Sequence, residues 1–296
     1  MTALHRRRRS AALALTAAIA LTFGIVVGGS SSDGRRRAPV SHPSPSSWLA
    51  RIATLAGSGR GSLAVDERVA ERRAIQHTLS YTPYVRVAGS QHRELALTFD
   101  DGPGPYTPQI VAELAKLKVP ATFFEVGIEE RYFHAGTTEI VAHGWPIGDH
   151  TDTHPPMSTL SRGDQQRQLL QEASAIGEYG APFPDMFRPP YGVWNRTTLA
   201  LLRADRMLMI LWTVDTSDYT LPGTQAIVQR AVDGARPGAI ILMHDAGGDR
   251  SETVAALPKI VRDLRARGYR LVTVPQLLLD NPAPRDQNTA GLGSGG

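Results

Sequence analysis

The stretch 95–126, LALTFDDGPGPYTPQIVAELAKLKVPATFFEV, decides the fold. Residues 95–99 are a short β-rich run, and Gly102-Pro103 breaks the chain directly after it. Residues 108–118 place Ile110, Val111, Leu114 and Leu117 on one helical face. Residues 121–126 (ATFFEV) form a second strand. A strand, a helix and a strand within so few residues make a parallel pair with a right-handed crossover.

The same alternation continues downstream. Strands are predicted at 145–148, 185–188, 207–214, 239–243 and 270–274, with helices at 137–143, 163–178, 197–204, 224–235 and 253–267. Seven parallel strands can form an open doubly wound sheet or an incomplete barrel. Charged residues cluster just after strands 1, 3, 4, 5 and 6. The carboxyl ends of barrel strands share one mouth, whereas an open sheet gathers its site at a switch point. Five contributing strands favour an α/β fold of the distorted (β/α)7-barrel type.

Composition sets the surroundings of this body. The chain has 296 residues, 42% hydrophobic and 20% charged, enough to bury a core. It has no cysteine, which excludes disulfides, thiolate metal sites and a cysteine nucleophile. The net charge of +4 is unevenly placed. Residues 1–37 hold seven arginines and one acid, so the remainder is net negative and a poor match for nucleic acid. Arg6 to Arg9 precede a charge-free apolar run over 11–27, as in a signal peptide or membrane anchor (1–29) that leaves the body outside the cytoplasm. Residues 30–79 read as a Ser/Pro/Gly/Arg-rich linker with a short helix over 63–79. The folded domain is expected over 80–280 and a disordered tail over 281–296. Nothing in the sequence requires an oligomer, so a monomer is expected.

Taken singly, the polar groups at the strand ends have bland readings. Asp100-Asp101 could be a turn with a capping acid, and Asp215 or Asp218 could cap an element. The segment 188–192 (RPPYG) could be a surface loop. His150 and His154 stand at i and i+4, which on one helical turn puts both rings on one face. A lone histidine such as His244 is more often structural. Together they read differently. One carboxylate and two histidines make a triad that leaves metal positions open. A second carboxylate remains as base, a histidine as acid, and an arginine and an aspartate as supports. This is the inventory of metal-assisted hydrolysis.

Five blocks also occur in the order found in a known family: TFDDGP at 98–103, HTDTH at 150–154, RPPYG at 188–192, DTSDY at 215–219 and LMH at 242–244. The chain resembles the polysaccharide deacetylases (carbohydrate esterase family 4, the nodulation-protein B homology domain) over roughly 94–279. The fourth block departs from the family, with Tyr219 where a tryptophan is usual, which bears on the groove wall rather than on the chemistry.

The resemblance implies that Asp101, His150 and His154 hold a divalent ion, zinc first, with cobalt or another divalent ion as alternatives. It implies that Asp100 is the base, paired with and oriented by Arg188. The Tyr191 peptide N–H would stabilise the oxyanion. His244 would protonate the leaving amine with Asp218 behind it, and Leu242 would seat the acetyl methyl. Tyr106, Trp194 and Tyr219 are candidate sugar-stacking residues, Trp194 being equally suited to buried packing. The expected substrate is a β-linked amino sugar polymer, either peptidoglycan or chitin oligomers. Alternatives are an O-acetyl xylan esterase, an amidase of small cyclic amides, and a non-catalytic carbohydrate-binding protein.

Overall fold

The computed structural model describes residues 59–288. The leader or anchor over 1–29, the first part of the linker and the end of the tail lie outside the described residues. Among the described residues no helix is long and apolar enough to cross a membrane.

The described chain opens on helix α1 (Gly59–Leu79), followed by β1 (Tyr84–Val85), β2 (Glu94–Gly102), α2 (Thr107–Leu117) and β3 (Thr122–Glu125). Next come α3 (Glu130–Phe133), α4 (Ala135–Ala142), β4 (Ile147–Asp149), α5 (Arg162–Glu178), β5 (Met186–Phe187) and α6 (Arg196–Ala204). The remainder is β6 (Leu208–Ile210), β7 (Val214–Asp215), α7 (Thr224–Asp233), β8 (Ala239–His244), α8 (Ser251–Ala266), β9 (Arg270–Val272) and α9 (Val274–Asp280).

The strands form one parallel sheet in the order β1-β6-β5-β4-β3-β2-β8-β7, with β9 on the edge of β2. β6 and β7 stand at different places in that order, yet only three residues separate them in the chain. The segment therefore joins the two flanks of a curled sheet, and the expected distorted barrel results.

Strand pleating sorts the side chains. Leu95, Leu97 and Phe99 enter a core with Ile110, Leu114, Ile227, Leu257 and Ile260 from the helical layer. Ala96 belongs instead to an inner cluster with Phe124, Met186, Leu208, Ile210 and Ile240. Thr98 and Asp100 continue that inner face toward the mouth.

Four expectations are corrected. The strand expected over 207–214 is broken: Leu211 N–H donates to Val85 beside it, and Thr213 N–H to Ile240 of β8. A uniformly apolar run does not reveal a change of partner. The seventh expected strand, β9, does not add a stave; it occupies the edge of β2 at Glu94–Ala96, beneath the point where β3 begins to pair. The helix expected over 63–79 is present but starts at Gly59, and this 21-residue α1 belongs to the folded body rather than to a linker, with Ile75 buried among Val85, Leu277 and Leu278. The tail is packed through Asn288: Asn281 is buried, and the Gln287 side chain bonds to both Arg86 N–H and Val87 N–H.

Candidate active site

Strand β2 delivers both carboxylates. Across β8, Asp100 stands in register with His244 and Thr98 with Leu242. On the β3 side the register slips between Asp100 and Gly102, and Asp101 adopts φ 72°. This is a bulge, which re-aims one side chain. Simple alternation would send the two acids to opposite faces; the bulge brings both to the same mouth. His150 Nε2 lies 3.8 Å from Asp100 Oδ2 and 3.6 Å from Asp101 Oδ1.

The two histidines do not share a helical turn. They sit on a loop after β4 in which Thr151 (φ 74°) and His154 (φ 57°) are left-handed. Thr151 N–H donates to Asp149 Oδ1, and His154 N–H to Thr151 Oγ1. The loop brings the Nε2 atoms within 3.2 Å of each other, with His154 Nε2 3.2 Å from Asp101 Oδ1.

Ligands on a tetrahedral ion with bonds of about 2.0–2.1 Å stand about 3.3 Å apart, so these separations fit a metal. The outer ring nitrogens are engaged elsewhere. His150 Nδ1 donates to the Arg188 carbonyl at 2.7 Å, and His154 Nδ1 lies 3.2 Å from Tyr191 Oη. Such partners fix the ring orientation of a metal-ligating histidine and leave Nε2 as the donor. Among the described residues this is the one group of three or more such side chains that could hold an ion. Burial alone would raise Asp101, but the two imidazoles, with His244 beyond, hold it far below the ordinary carboxylate range.

Arg188 is fully buried beneath Asp100. Its Nη1 donates to Asp100 Oδ1 at 2.6 Å and to Thr98 Oγ1 at 2.9 Å. Nε and Nη2 reach the carbonyls of Ile210 and Leu211, where the broken strand changes partner, and the guanidinium lies 4.1 Å over the Phe124 ring. Arg188 therefore plugs the gap in the sheet as well as holding Asp100. Burial pulls its pKa down and Asp100 opposes the shift, but a guanidinium stays charged.

On the other flank His244 Nδ1 is 2.7 Å from Asp218 Oδ1. Asp218 Oδ2 accepts from His244 N–H and Thr253 Oγ1, each at 2.8 Å. Burial would lower His244, but Asp218, with Asp101 and Asp100 behind it, raises it to about 9.

Asp100, Asp101, His150, His154 and His244 line one cleft of ≈ 850 Å³ at the mouth, together with Tyr191, Tyr219 and Leu242, while Arg188 and Asp218 stand buried behind it. Tyr191 stands at φ 60° in the Pro-Pro-Tyr-Gly turn, a strained position of the kind found at functional sites. Of the aromatic candidates, Tyr219 is half exposed in the cleft, whereas Trp194 is buried with Phe187, Leu201 and Met209. Trp194 is thus packing, and Tyr106 lies outside the cleft lining. The sequence reading missed Arg86, Glu129, Trp212 and Arg250, which do line it. A signal was available for one of them: Arg250 closes the loop that directly follows His244.

The family model for polysaccharide deacetylase matches residues 88–209. A chitooligosaccharide deacetylase of Sinorhizobium fredii is 36% identical over 211 residues, 67% of this chain and 98% of that protein. The chain belongs to the polysaccharide deacetylase family. Another member, a peptidoglycan-N-acetylglucosamine deacetylase of Bacillus cereus, is 38% identical over 62% of this chain and 87% of its own. Among solved structures, the Bc1960 peptidoglycan N-acetylglucosamine deacetylase superposes with TM-score 0.65 at 29% identity, covering 71% of this chain and 97% of that one. A Bacillus anthracis pseudoenzyme of carbohydrate esterase family 4 superposes with TM-score 0.62 at 30% identity, covering 67% and 69%. A polysaccharide deacetylase fold therefore does not by itself guarantee chemistry, and the side chains have to be read one by one.

Proposed function

We propose that this chain is an exported, metal-dependent hydrolase that removes N-acetyl groups from a polymer of N-acetylglucosamine. The observation that carries this reading is the convergence, in one cleft, of three side chains able to hold a metal with Asp100 and His244, each of these backed by a buried partner, Arg188 and Asp218. Relatives that act on chitooligosaccharides and on peptidoglycan support the substrate class. The arginine-flanked apolar run at 11–27 supports export, with the body outside the cytoplasmic membrane and anchored there if the segment is retained.

Asp101, His150 and His154 would hold the ion, zinc being the best match to two imidazoles and one carboxylate. A divalent ion there supplies Lewis-acid polarisation of the acetamide carbonyl and makes a water acidic enough to deprotonate near neutral pH. Asp100 takes the proton from the attacking water as its oxygen adds to the acetyl carbon. Arg188 keeps Asp100 in place for that transfer. The Tyr191 peptide N–H donates to the oxygen that becomes negative. His244 then gives its proton to the sugar nitrogen as the C–N bond breaks, releasing acetate and a free amine. Asp218 holds His244 protonated and fixes which nitrogen faces the substrate. Leu242 supplies an apolar seat for the methyl group.

Paired substitutions test these roles. Asp100→Asn should keep bound zinc and lose acetate release from an N-acetylglucosamine oligomer by about 10²–10⁴-fold. Asp101→Asn should lose the zinc itself. The opposite pattern would reverse the two roles. Retention of both metal and activity in both variants would leave a glycan-binding protein instead of a hydrolase.

A further inference from the structure

Arg250 is a buried cation that the proposed mechanism leaves unused. It is 3% exposed, yet it lines the catalytic cleft beside Gly247. Its Nε donates to the Ala246 carbonyl at 2.7 Å and its Nη1 to the Asp249 carbonyl at 2.9 Å. Both partners are neutral. Among the described residues no carboxylate forms an ion pair with it, in contrast to Arg188 and Asp100. The nearest acid in sequence, Asp249, turns its Oδ1 to Ser251 N–H; that bond, and in smaller part the nearby charge of Arg250, lowers its pKa, but Asp249 is exposed and forms no ion pair with Arg250. A buried charge normally has a partner of opposite sign, because removing it from water costs several kcal/mol. Here the protein supplies the walls and the donors and leaves the anion to come from outside.

We propose that Arg250 forms an anion subsite of the cleft that takes a carboxylate carried by the glycan. The inference rests on the deacetylase reading and narrows it. A chitin oligomer is neutral, whereas a glycan whose alternate sugars carry acidic branches, as in peptidoglycan, provides the missing charge. Loop geometry supports a built site. A Cβ on Gly247 would meet Asp101 Oδ2 at 2.5 Å, so the loop bearing Arg250 is pressed against a metal-ligating residue. An anion held by Arg250 would therefore stand close to the reacting acetamide. Arg86 adds a second guanidinium to the same cleft, with its Nε on the Trp212 carbonyl.

The experiment compares acetate release by the full chain, zinc-loaded, from two tetrasaccharides. One is neutral and made of N-acetylglucosamine; the other alternates it with N-acetylmuramic acid bearing a free lactyl carboxylate. The same acidic glycan as its methyl ester serves as control. The wild type should prefer the free acid over the ester. Arg250→Gln should lower the acid-over-neutral ratio of kcat/KM by on the order of 10- to 100-fold, mainly through KM, the size expected for a charge-assisted contact. Arg250→Lys should restore part of that ratio. An unchanged ratio with both rates reduced would make Arg250 a staple of its loop and overturn the proposal. Relief of inhibition by added acetate, with the ratio unchanged, would assign the subsite to the product and overturn it too. Acetate release from neither glycan by the wild type would instead sink the deacetylase reading itself.

Discussion

At the scale of single residues, the site consists of charges that settle one another. His244 shows how. Burial disfavours its imidazolium, and Asp218 reverses the balance through a direct hydrogen bond, giving a pKa of about 9. A general acid works only while it holds its proton. Activity should therefore fall as pH rises through the folded value of His244. An ion bound at Asp101 would weaken that residue's share of the shift, but not the share of Asp218. Asp218→Asn removes the carboxylate, so the alkaline limb of the kcat profile should move to lower pH and kcat at pH 8 should fall about tenfold or more. The acidic limb should stay in place. A variant with its alkaline limb unmoved would mean that another group delivers the proton.

At the scale of elements, the loops above β3 and β4 rest on buried acids. Glu125, Glu130, Asp149 and Glu172 are all buried, and neither carboxylate oxygen of Glu172, on α5, meets an N–H or hydroxyl donor; its hydrogen-bond neighbour is the carboxyl of Asp149. Burial raises Glu172 well above its ordinary value, and the neighbouring charges of Asp149 and Glu125 add to the shift. Burial likewise raises Asp149 and Glu125. Acids raised in this way keep protons when folded that they lose when unfolded. Stability should thus decline as pH climbs above about 4.5, at up to about 1.4 kcal/mol per unit for each proton held. Glu172→Gln removes one such proton and offers Asp149 an N–H donor. Its melting temperature should exceed the wild type's at pH 8 and converge with it near pH 4. Parallel curves for the two proteins would show that Glu172 is ionised in the folded state.

Elements also show what the sequence could and could not convey. Helices α2, α5, α6 and α8 were legible because their apolar positions repeat with helical spacing. Asp101, His150 and His154 were legible as a candidate metal group because residue type carries it. The loop joining His150 to His154 was not, since an i, i+4 pair fits a helix equally well and left-handed Thr151 and His154 leave no compositional trace. The bulge at Asp101 was hidden for the same reason. Nor could 207–214 disclose its break, because the interruption is made by Arg188, whose hydrogen bonds to Ile210 and Leu211 stand in for a missing neighbouring strand.

At the scale of the whole molecule, the barrel is held closed by segments from both ends of the described chain. α1 lies against α9 and the base of the sheet: Ile75 and Thr78 are buried, Gln76 Nε2 donates to the Arg206 carbonyl, and Thr273 Oγ1 donates to Glu71 Oε1. The site residues all come from beyond residue 80. Removing residues 1–58 should therefore leave both the melting temperature and acetate release close to those of the full chain. Removing residues 1–79 takes away α1 as well and uncovers Val85, Leu277 and Leu278. Losing the burial of Ile75 together with that of its uncovered partners should cost on the order of 3–5 kcal/mol, or roughly 10 °C in a domain of this size. Well below that lowered transition, kcat should be nearly unchanged, because no described side chain of α1 lines the cleft. Equal melting temperatures for the two truncated chains would make α1 an appendage. A loss of stability in the chain lacking only 1–58 would move the start of the folded domain upstream of Gly59.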